Sequence, residues 1–343
     1  MSSKRKRVTS QQVADLAGVS RTTVSFVLND TQLSKSISPE TRNRVLRAAK
    51  ELNYVPDAAA RTLASGQTQT LGVVVADTQH LEVDAFIAKL LFKLTDVSRK
   101  HGFKMLIETV DEIHGGDAYQ RLVSAKQIDG LLVVNPRADD HALAEIVNSP
   151  FPVVLLGSMG NPNEYVVTHA PGAHLVVDHL LSVGHTRIAH ISYGPMAYQS
   201  ARLRLEQYQQ RLEHANLSPD PELIRYGNFS AESGFEAMQS LLDLAQPPTA
   251  VFAGNDTIAF GILAAIRERG LRVPEDVAVV GFDNLPLASY ASPPLTTVQT
   301  SAIQQGQAGG EMLIQRIRGE VAEQQRIIET KLIVRESCGS STH

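Results

Sequence analysis

The residues with the clearest chemical use follow Gly18. Ser20, Arg21, Thr22 and Thr23 bring three hydroxyls and a guanidinium to the start of a short segment in which Val24, Val27 and Leu28 repeat at helical spacing. A guanidinium there suits a guanine edge, since two parallel N–H groups match two acceptors, a contact worth about 1–3 kcal/mol of discrimination between bases. Ser20, Thr23, Ser25 and Asn29 carry groups suited to phosphate oxygens, which position a protein on a duplex without reading its sequence.

Such residues need a framework, and the flanking sequence predicts one. Thr9-Ser10-Gln11-Gln12 reads as a capping box, with Thr9 as N-cap and Gln12 reaching back from the third helical position. Val13, Leu16 and Ala17 fall on one face of that helix, Gly18 ends it, and Val19 plugs the space between helices. Ser20 caps the second helix, which ends at Asn29-Asp30. Ser38-Pro39-Glu40 opens a third, with Val45, Ala48, Ala49 and Leu52 inside. Three short helices, the first two joined by a glycine turn, predict a helix-turn-helix that sets the start of helix two in a major groove. Residues 1–66 hold eleven Lys/Arg and five Asp/Glu, a net +6, which leaves −10 on the rest of a chain of formal charge −4. Charge alone fits a polyanion partner or a solubilising basic tail; the caps and the polar outer face of helix two favour double-stranded DNA.

From residue 70 the pattern changes. Apolar runs at Leu71–Ala76, Lys104–Ile107, Gly130–Val134, Pro152–Leu156, Ile188–Ile191, Ala250–Ala253, Val277–Phe282 and Arg326–Val334 read as strands. Helical stretches lie between them at 85–100, 172–183, 200–215, 231–244, 257–269 and 302–318. Short, almost wholly apolar strands alternating with helices predict an α/β fold of parallel sheets covered on both faces. The strands are too many for one sheet, which predicts two Rossmann-like lobes with a ligand cleft outside the carboxyl ends of the strands.

Other classes find little support. No Gly-x-Gly-x-x-Gly or P-loop is present, so no nucleotide cofactor is expected. Neither Gly-x-Ser-x-Gly nor His-Glu-x-x-His occurs, so an enzyme is not expected, and His179 and His185 lack further ligands for a metal. Cys338, the single cysteine, forms no intrachain disulfide. No apolar run approaches the roughly 20 residues that span a bilayer, and the basic start (Lys4 to Arg7) is not followed by a signal peptide's apolar segment. A cytoplasmic protein without membrane contact is expected.

The run Val8-Thr9, Val13-Ala14, Ala17-Gly18-Val19-Ser20, Thr23-Val24-Ser25, Leu28-Asn29 resembles the headpiece of the LacI/GalR (lactose/galactose-repressor) family. The resemblance continues through Ser38-Pro39-Glu40-Thr41-Arg42, Arg44-Val45 and Leu52-Asn53-Tyr54-Val55-Pro56. It implies a homodimeric repressor on a near-palindromic operator, with DNA contacts extending to Thr9 and Tyr54. Where many members carry arginine late in the recognition helix this chain has Phe26, which suits a thymine methyl instead. Residues 56–66, alanine-rich between Pro56 and Gly66, match the family's hinge helix, implying DNA contact by Ala60 and a minor-groove wedge at Leu63. The expected organisation is a headpiece at 1–55, a hinge and linker at 56–69, and an effector-binding and dimerisation core at 70–338 of the periplasmic-binding-protein-like type. Its N-lobe is expected at about 70–167 and 298–324, and its C-lobe at about 168–297 and 325–338.

The same resemblance implies a small-molecule effector, a sugar or related polyol, held by Asp77, Arg204, Phe229, Asn255 and Asp283, with Phe229 covering one ligand face. Asp256 is read as a helix cap and His185 as structural. Two segments depart from the family's usual pattern. The loop after the first strand, with Asp77, Glu82 and Asp84, is longer and more acidic, which predicts an uncharged or cationic ligand. At the lobe crossover Thr168-His169-Ala170-Pro171-Gly172 stands in place of an Asp-Asn pair. The tail 335–343 has no heptad pattern, so no tail-built tetramer is expected.

Overall fold

A computed structural model describes residues 8–28, 36–55, 62, 66–75, 82, 84–110 and 115–339. The chain divides into two compact units, Met1–Gln69 and Thr70–His343.

The first unit holds α1 (Ser10–Ala17), α2 (Arg21–Leu28) and α3 (Pro39–Glu51). The capping box on α1 is present, Thr9 accepting from the Gln12 N–H and Gln12 accepting from the Thr9 N–H at 2.9 Å. Gly18 ends α1 at φ 65°, a left-handed conformation that glycine enters without a Cβ penalty. Ser38 caps α3 ahead of Pro39 at its first turn. Val13, Ala14, Ala17, Val24, Val27, Val45, Ala48 and Ala49 form the core, with Val19 packed against it. Leu16 corrects the expected stripe, because its side chain is 49% exposed. At about 100° per residue, Val13, Ala14 and Ala17 define the buried arc, and Leu16 falls roughly 110° from its centre. In the hinge segment the Gly66 N–H bonds to the Thr62 carbonyl at 2.8 Å. Ala60 and Leu63 lie outside the described residues, as do Asn29 and Asp77.

The second unit contains two six-stranded sheets. The first comprises β1 (Thr70–Val75), β2 (Lys104–Thr109), β3 (Gly130–Val134), β4 (Val153–Leu156), β5 (Val166–His169) and β11 (Gln325–Ile328) in the order β11-β5-β4-β3-β1-β2, all parallel. The second comprises β6 (Ile188–Ser192), β7 (Ile224–Tyr226), β8 (Ala250–Ala253), β9 (Ala278–Asp283), β10 (Thr296–Gln299) and β12 (Lys331–Ile333). Its order is β12-β10-β9-β8-β6-β7, parallel except for β12 against β10. Helices α4 (Ala85–Lys100), α5 (Gly115–Ser124), α6 (His141–Val147) and α11 (Ala302–Ile317) accompany the first sheet. The second is covered by α7 (Ala173–Ser182), α8 (Gln199–His214), α9 (Ala231–Leu242) and α10 (Asp256–Glu268). Each sheet therefore has an apolar core on both faces, the condition that makes its strands nearly all apolar.

The lobe boundaries differ from those expected. Thr168 and His169 still pair in the first sheet, and β10 keeps residues 296–299 in the second. The last apolar run is two strands in two lobes, since Gln325–Ile328 pairs with β5 and Lys331–Ile333 pairs with β10. The chain thus crosses back at Glu329-Thr330, a polar dipeptide too short to interrupt the apolar pattern. Among the described residues, no helix is long and apolar enough to cross a membrane.

Candidate functional site

On α2, Val24 and Val27 face the core, which turns Thr22, Ser25 and Phe26 outward with Arg21 at their flank. Arg21 and Thr22 are exposed, while Ser25 and Phe26 are partly covered. Ser20 caps this helix, accepting from the Thr23 N–H at 3.1 Å, and the two hydroxyls lie 2.9 Å apart. Ser20 and Thr23 thus hold the helix start in shape and leave Arg21 and Thr22 as its outermost side chains. Thr9 is engaged in its own cap, and Tyr54 packs on the three-helix core while its N–H bonds to the Ala49 carbonyl at 2.8 Å.

In the second unit a cleft opens where the carboxyl ends of both sheets converge, the usual place for a small-molecule site in such sheets. The N-lobe contributes Asp84 and Phe86 at the start of α4, Asn135 after β3, and Thr168 and His169 at the end of β5. The C-lobe contributes Tyr193 after β6, Ser200 and Arg204 on α8, Asn255 after β8 and Asp283 at the end of β9.

Arg204 organises the C-lobe wall. It is 7% exposed, and its guanidinium lies 3.8 Å from the Phe282 ring centroid and 4.6 Å from that of Tyr193. Nη1 donates to the Gly254 carbonyl, and Nη2 lies 3.3 Å from His169 Nε2. Because a guanidinium only donates, His169 Nε2 is the acceptor, and its Nδ1–H faces the Ala170 carbonyl at 3.1 Å. Enclosure of the ring, followed by the Arg204 charge, pushes the His169 pKa down to about 4. Arg204 Nε is buried and has no partner among the described residues. Gly254 permits this packing, since a Cβ there would stand 2.4 Å from the Tyr193 nitrogen.

Asn255 caps α10 through its Oδ1, which accepts from the Ile258 N–H at 2.8 Å, leaving Nδ2 as a donor. Asp283 accepts from the Thr300 hydroxyl at 3.1 Å. Burial raises its carboxyl well above the ordinary range, with Arg204 opposing and the Asp84 charge adding to the rise. Asp84 itself caps α4, accepting from the Phe86 N–H at 2.9 Å.

The structure thus brings Arg204, Asn255 and Asp283 together as expected positions on one cleft. Phe229 is corrected. Its ring is 1% exposed and lies edge-on behind Tyr193 and Tyr198, at centroid distances of 5.7 and 5.1 Å, so it supports the wall and does not face the cleft. Tyr193 presents the aromatic surface instead. Asp256 is also corrected, because Asn255 is the cap. Asp256 is fully buried and accepts from the Leu285 N–H and the Thr297 hydroxyl, both at 2.6 Å. Burial lifts its pKa to about 7 against these bonds. Of the acidic loop, Asp84 lines the cleft and Glu82 is exposed. His179 bonds to Cys338 at 3.1 Å and His185 to Thr249 at 3.1 Å, both structural pairings.

Asn135 was not anticipated. Its Oδ1 lies 3.2 Å from the Ser200 hydroxyl and 3.5 Å from that of Tyr193, across the lobes, while its Nδ2 is buried without a partner among the described residues. The available signal was a polar residue ending the apolar run of β3.

Comparison with known proteins places these features. Residues 9–57 match the family described as bacterial regulatory proteins, lacI family, and residues 177–338 match the periplasmic binding protein-like domain. The HTH-type transcriptional regulator CelR of Thermobifida fusca is 37% identical over 344 residues, covering 97% of this chain and 99% of that protein. Among solved structures, a CelR–cellobiose complex is 35% identical with a TM-score of 0.74, covering 96% of this chain and 100% of that one. The lac repressor dimer bound to operator and the anti-inducer ONPF is 30% identical with a TM-score of 0.85, covering 97% of this chain and 99% of that one.

Proposed function

The chain belongs to the lacI family of bacterial regulatory proteins, and from that premise we propose that it is a cytoplasmic repressor whose hold on a near-palindromic operator is set by an uncharged carbohydrate. The observation that carries the ligand assignment is the cleft. Donors on Arg204, Asn135 and Asn255 face acceptors on Asp84 and Asp283 beside the Tyr193 ring, with residues drawn from both lobes. Hydroxyl groups donate and accept at once, so a polyol satisfies both sets, and a guanidinium fork takes two vicinal oxygens. Asp84 in the cleft wall makes a phosphorylated sugar unfavourable. A relative solved with cellobiose supports a sugar of this kind.

DNA is held by the headpiece. Arg21, Thr22 and Phe26 read bases, while Ser20, Thr23, Ser25, Asn29, Thr9 and Tyr54 position the helix on the backbone. Leu63 enters the minor groove as a wedge, and Ala60 contacts the DNA beside it. One helix-turn-helix covers only a half-site, so the working unit is a symmetric homodimer. Ligand controls DNA affinity to the extent that it binds the DNA-competent and incompetent states of the body unequally. The cleft binds without turnover.

The test is selection of genomic fragments by the full-length protein, followed by calorimetry with cellobiose, other neutral sugars and a sugar phosphate. An enriched motif with two-fold symmetry and heat from a neutral sugar are expected. Enrichment of no motif, tight binding of the sugar phosphate alone, or consumption of the sugar would each contradict the proposal.

A further inference from the structure

The two lobes touch at a second place, outside the ligand-facing surface. After β3, Ala138 N–H donates to the Ala197 carbonyl at 2.8 Å, and Arg137 and Tyr198 form an isolated antiparallel bridge. One partner follows the first sheet and the other follows the second. The Arg137 guanidinium lies 5.8 Å from the Tyr198 ring centroid, while its Nε and Nη2 are both held at 2.9 Å by the Asp139 carboxylate. That ion pair within one lobe fixes the cation against the aromatic ring of the other.

The contact has breadth. The Asn135–Ser200 hydrogen bond flanks it on the cleft side. On the other, a Cβ at Gly160 would stand 3.5 Å from Gln199 Nε2, so the loop after β4 also runs against the start of α8. The C-lobe half is rigidly backed, since Tyr198 is 1% exposed and stands edge-on to Phe229. Arg137, Ala138, Ala197 and Tyr198 do not line the cleft, so their bonds need no ligand.

We propose that residues 137–138 and 197–198 form a clasp that sets how closed the empty cleft rests, and that this resting closure helps to fix the affinity for DNA. A ligand then acts on an equilibrium already biased by contacts it never touches. The first half of the proposal is independent of the functional reading, and only the second half rests on it.

Hydrogen–deuterium exchange on the full-length protein, without ligand or DNA, tests the first half. In Arg137→Ala, peptides covering 136–140 and 195–201 should speed up together by about tenfold, because one cation–ring contact and the order around one hydrogen bond are lost. Peptides from β3 and β6 should be unchanged. Arg187→Ala, which breaks an ion pair to Asp220 within the C-lobe, serves as control and should leave both segments protected. If Arg137→Ala loosens the whole core, Arg137→Lys is read by the same criterion. Unchanged exchange in both segments, or acceleration of one alone, overturns the clasp. The second half is read on a fragment selected by the wild-type protein, where Arg137→Ala should shift ligand-free DNA affinity by about threefold or more. An unchanged affinity with a loosened clasp overturns the coupling. If the wild-type protein selects no fragment, the repressor reading fails while the exchange result still decides the clasp.

Discussion

His190 offers a quantitative test of how the C-lobe is built. It sits fully buried on β6, its ring 4.6 Å from the Phe252 centroid and 5.3 Å from that of Tyr208. Nδ1 lies 3.0 Å from the Phe252 carbonyl and so carries the proton, while Nε2 has no partner among the described residues. Burial pushes its pKa down to about 4, against the pull of the Phe252 carbonyl. In the unfolded chain the pKa is about 6.5. Above pH 6.5 both states are neutral and the stability is fully present. As pH falls from 6.5 towards 4, the unfolded chain takes up a proton that the folded chain refuses, so stability is lost. At 1.36 kcal/mol per pH unit this amounts to about 2 kcal/mol at pH 5. His190→Phe keeps a ring between its neighbours and removes the titration, but it forfeits the bond to the Phe252 carbonyl, at a cost of about 1 kcal/mol at every pH. Urea unfolding followed by circular dichroism from pH 8 to pH 5 should show the variant weaker at pH 8 and stronger at pH 5. The difference between the two proteins should drift by about 2 kcal/mol across the range. Parallel stability curves would refute the reasoning, since His169 titrates in the same window and is common to both proteins.

The remaining predictions concern the two sites. Ser20→Ala removes the cap of the recognition helix and should destabilise the headpiece by about 1 kcal/mol, read as faster amide exchange at Thr22 and Thr23. Arg204→Met keeps the bulk between Phe282 and Tyr193 while removing the guanidinium donors; calorimetry should lose the heat of any sugar the wild type binds, while ligand-free DNA binding persists. Leu63→Ala should weaken operator binding strongly in a gel-shift titration and leave sugar binding intact; unchanged operator affinity would reject the proposed minor-groove wedge.

Much of the fold was legible because its signals are local. Thr9, Gly18, Ser38 and Pro39 mark helix ends through bonds and torsions that depend on few neighbours. The apolar runs from Gly130 to Val134 and from Ala250 to Ala253 coincide with strands because burial on both faces leaves no alternation to misread. What escaped is non-local. The division of residues 325–333 between two sheets depends on strand pairing across the lobes, which the run of side chains does not encode. Leu16 was misplaced because two small alanines, not the larger residue, set the buried arc of α1. At the cleft, Arg204, Asn255 and Asp283 line one wall, as residues following strands or on the adjoining helix can. Phe229 shows its limit: an aromatic ring near a ligand site can face the ligand or back the wall, and the neighbouring Tyr193 and Tyr198 decide which. Asn135 stayed hidden because its importance comes from Ser200 and Tyr193, distant in sequence and contributed by the other lobe.

The central claim is that a basic headpiece binds specific DNA under control of the cleft. The most direct measurement is a salt-dependent titration of a selected genomic fragment, with and without cellobiose and related neutral sugars, using the full chain and a chain lacking residues 1–66. Specific binding that weakens linearly in log–log salt dependence, shifts with a neutral sugar and vanishes with the headpiece is predicted. Specific binding that survives removal of residues 1–66, or that no cleft ligand alters, would contradict the account.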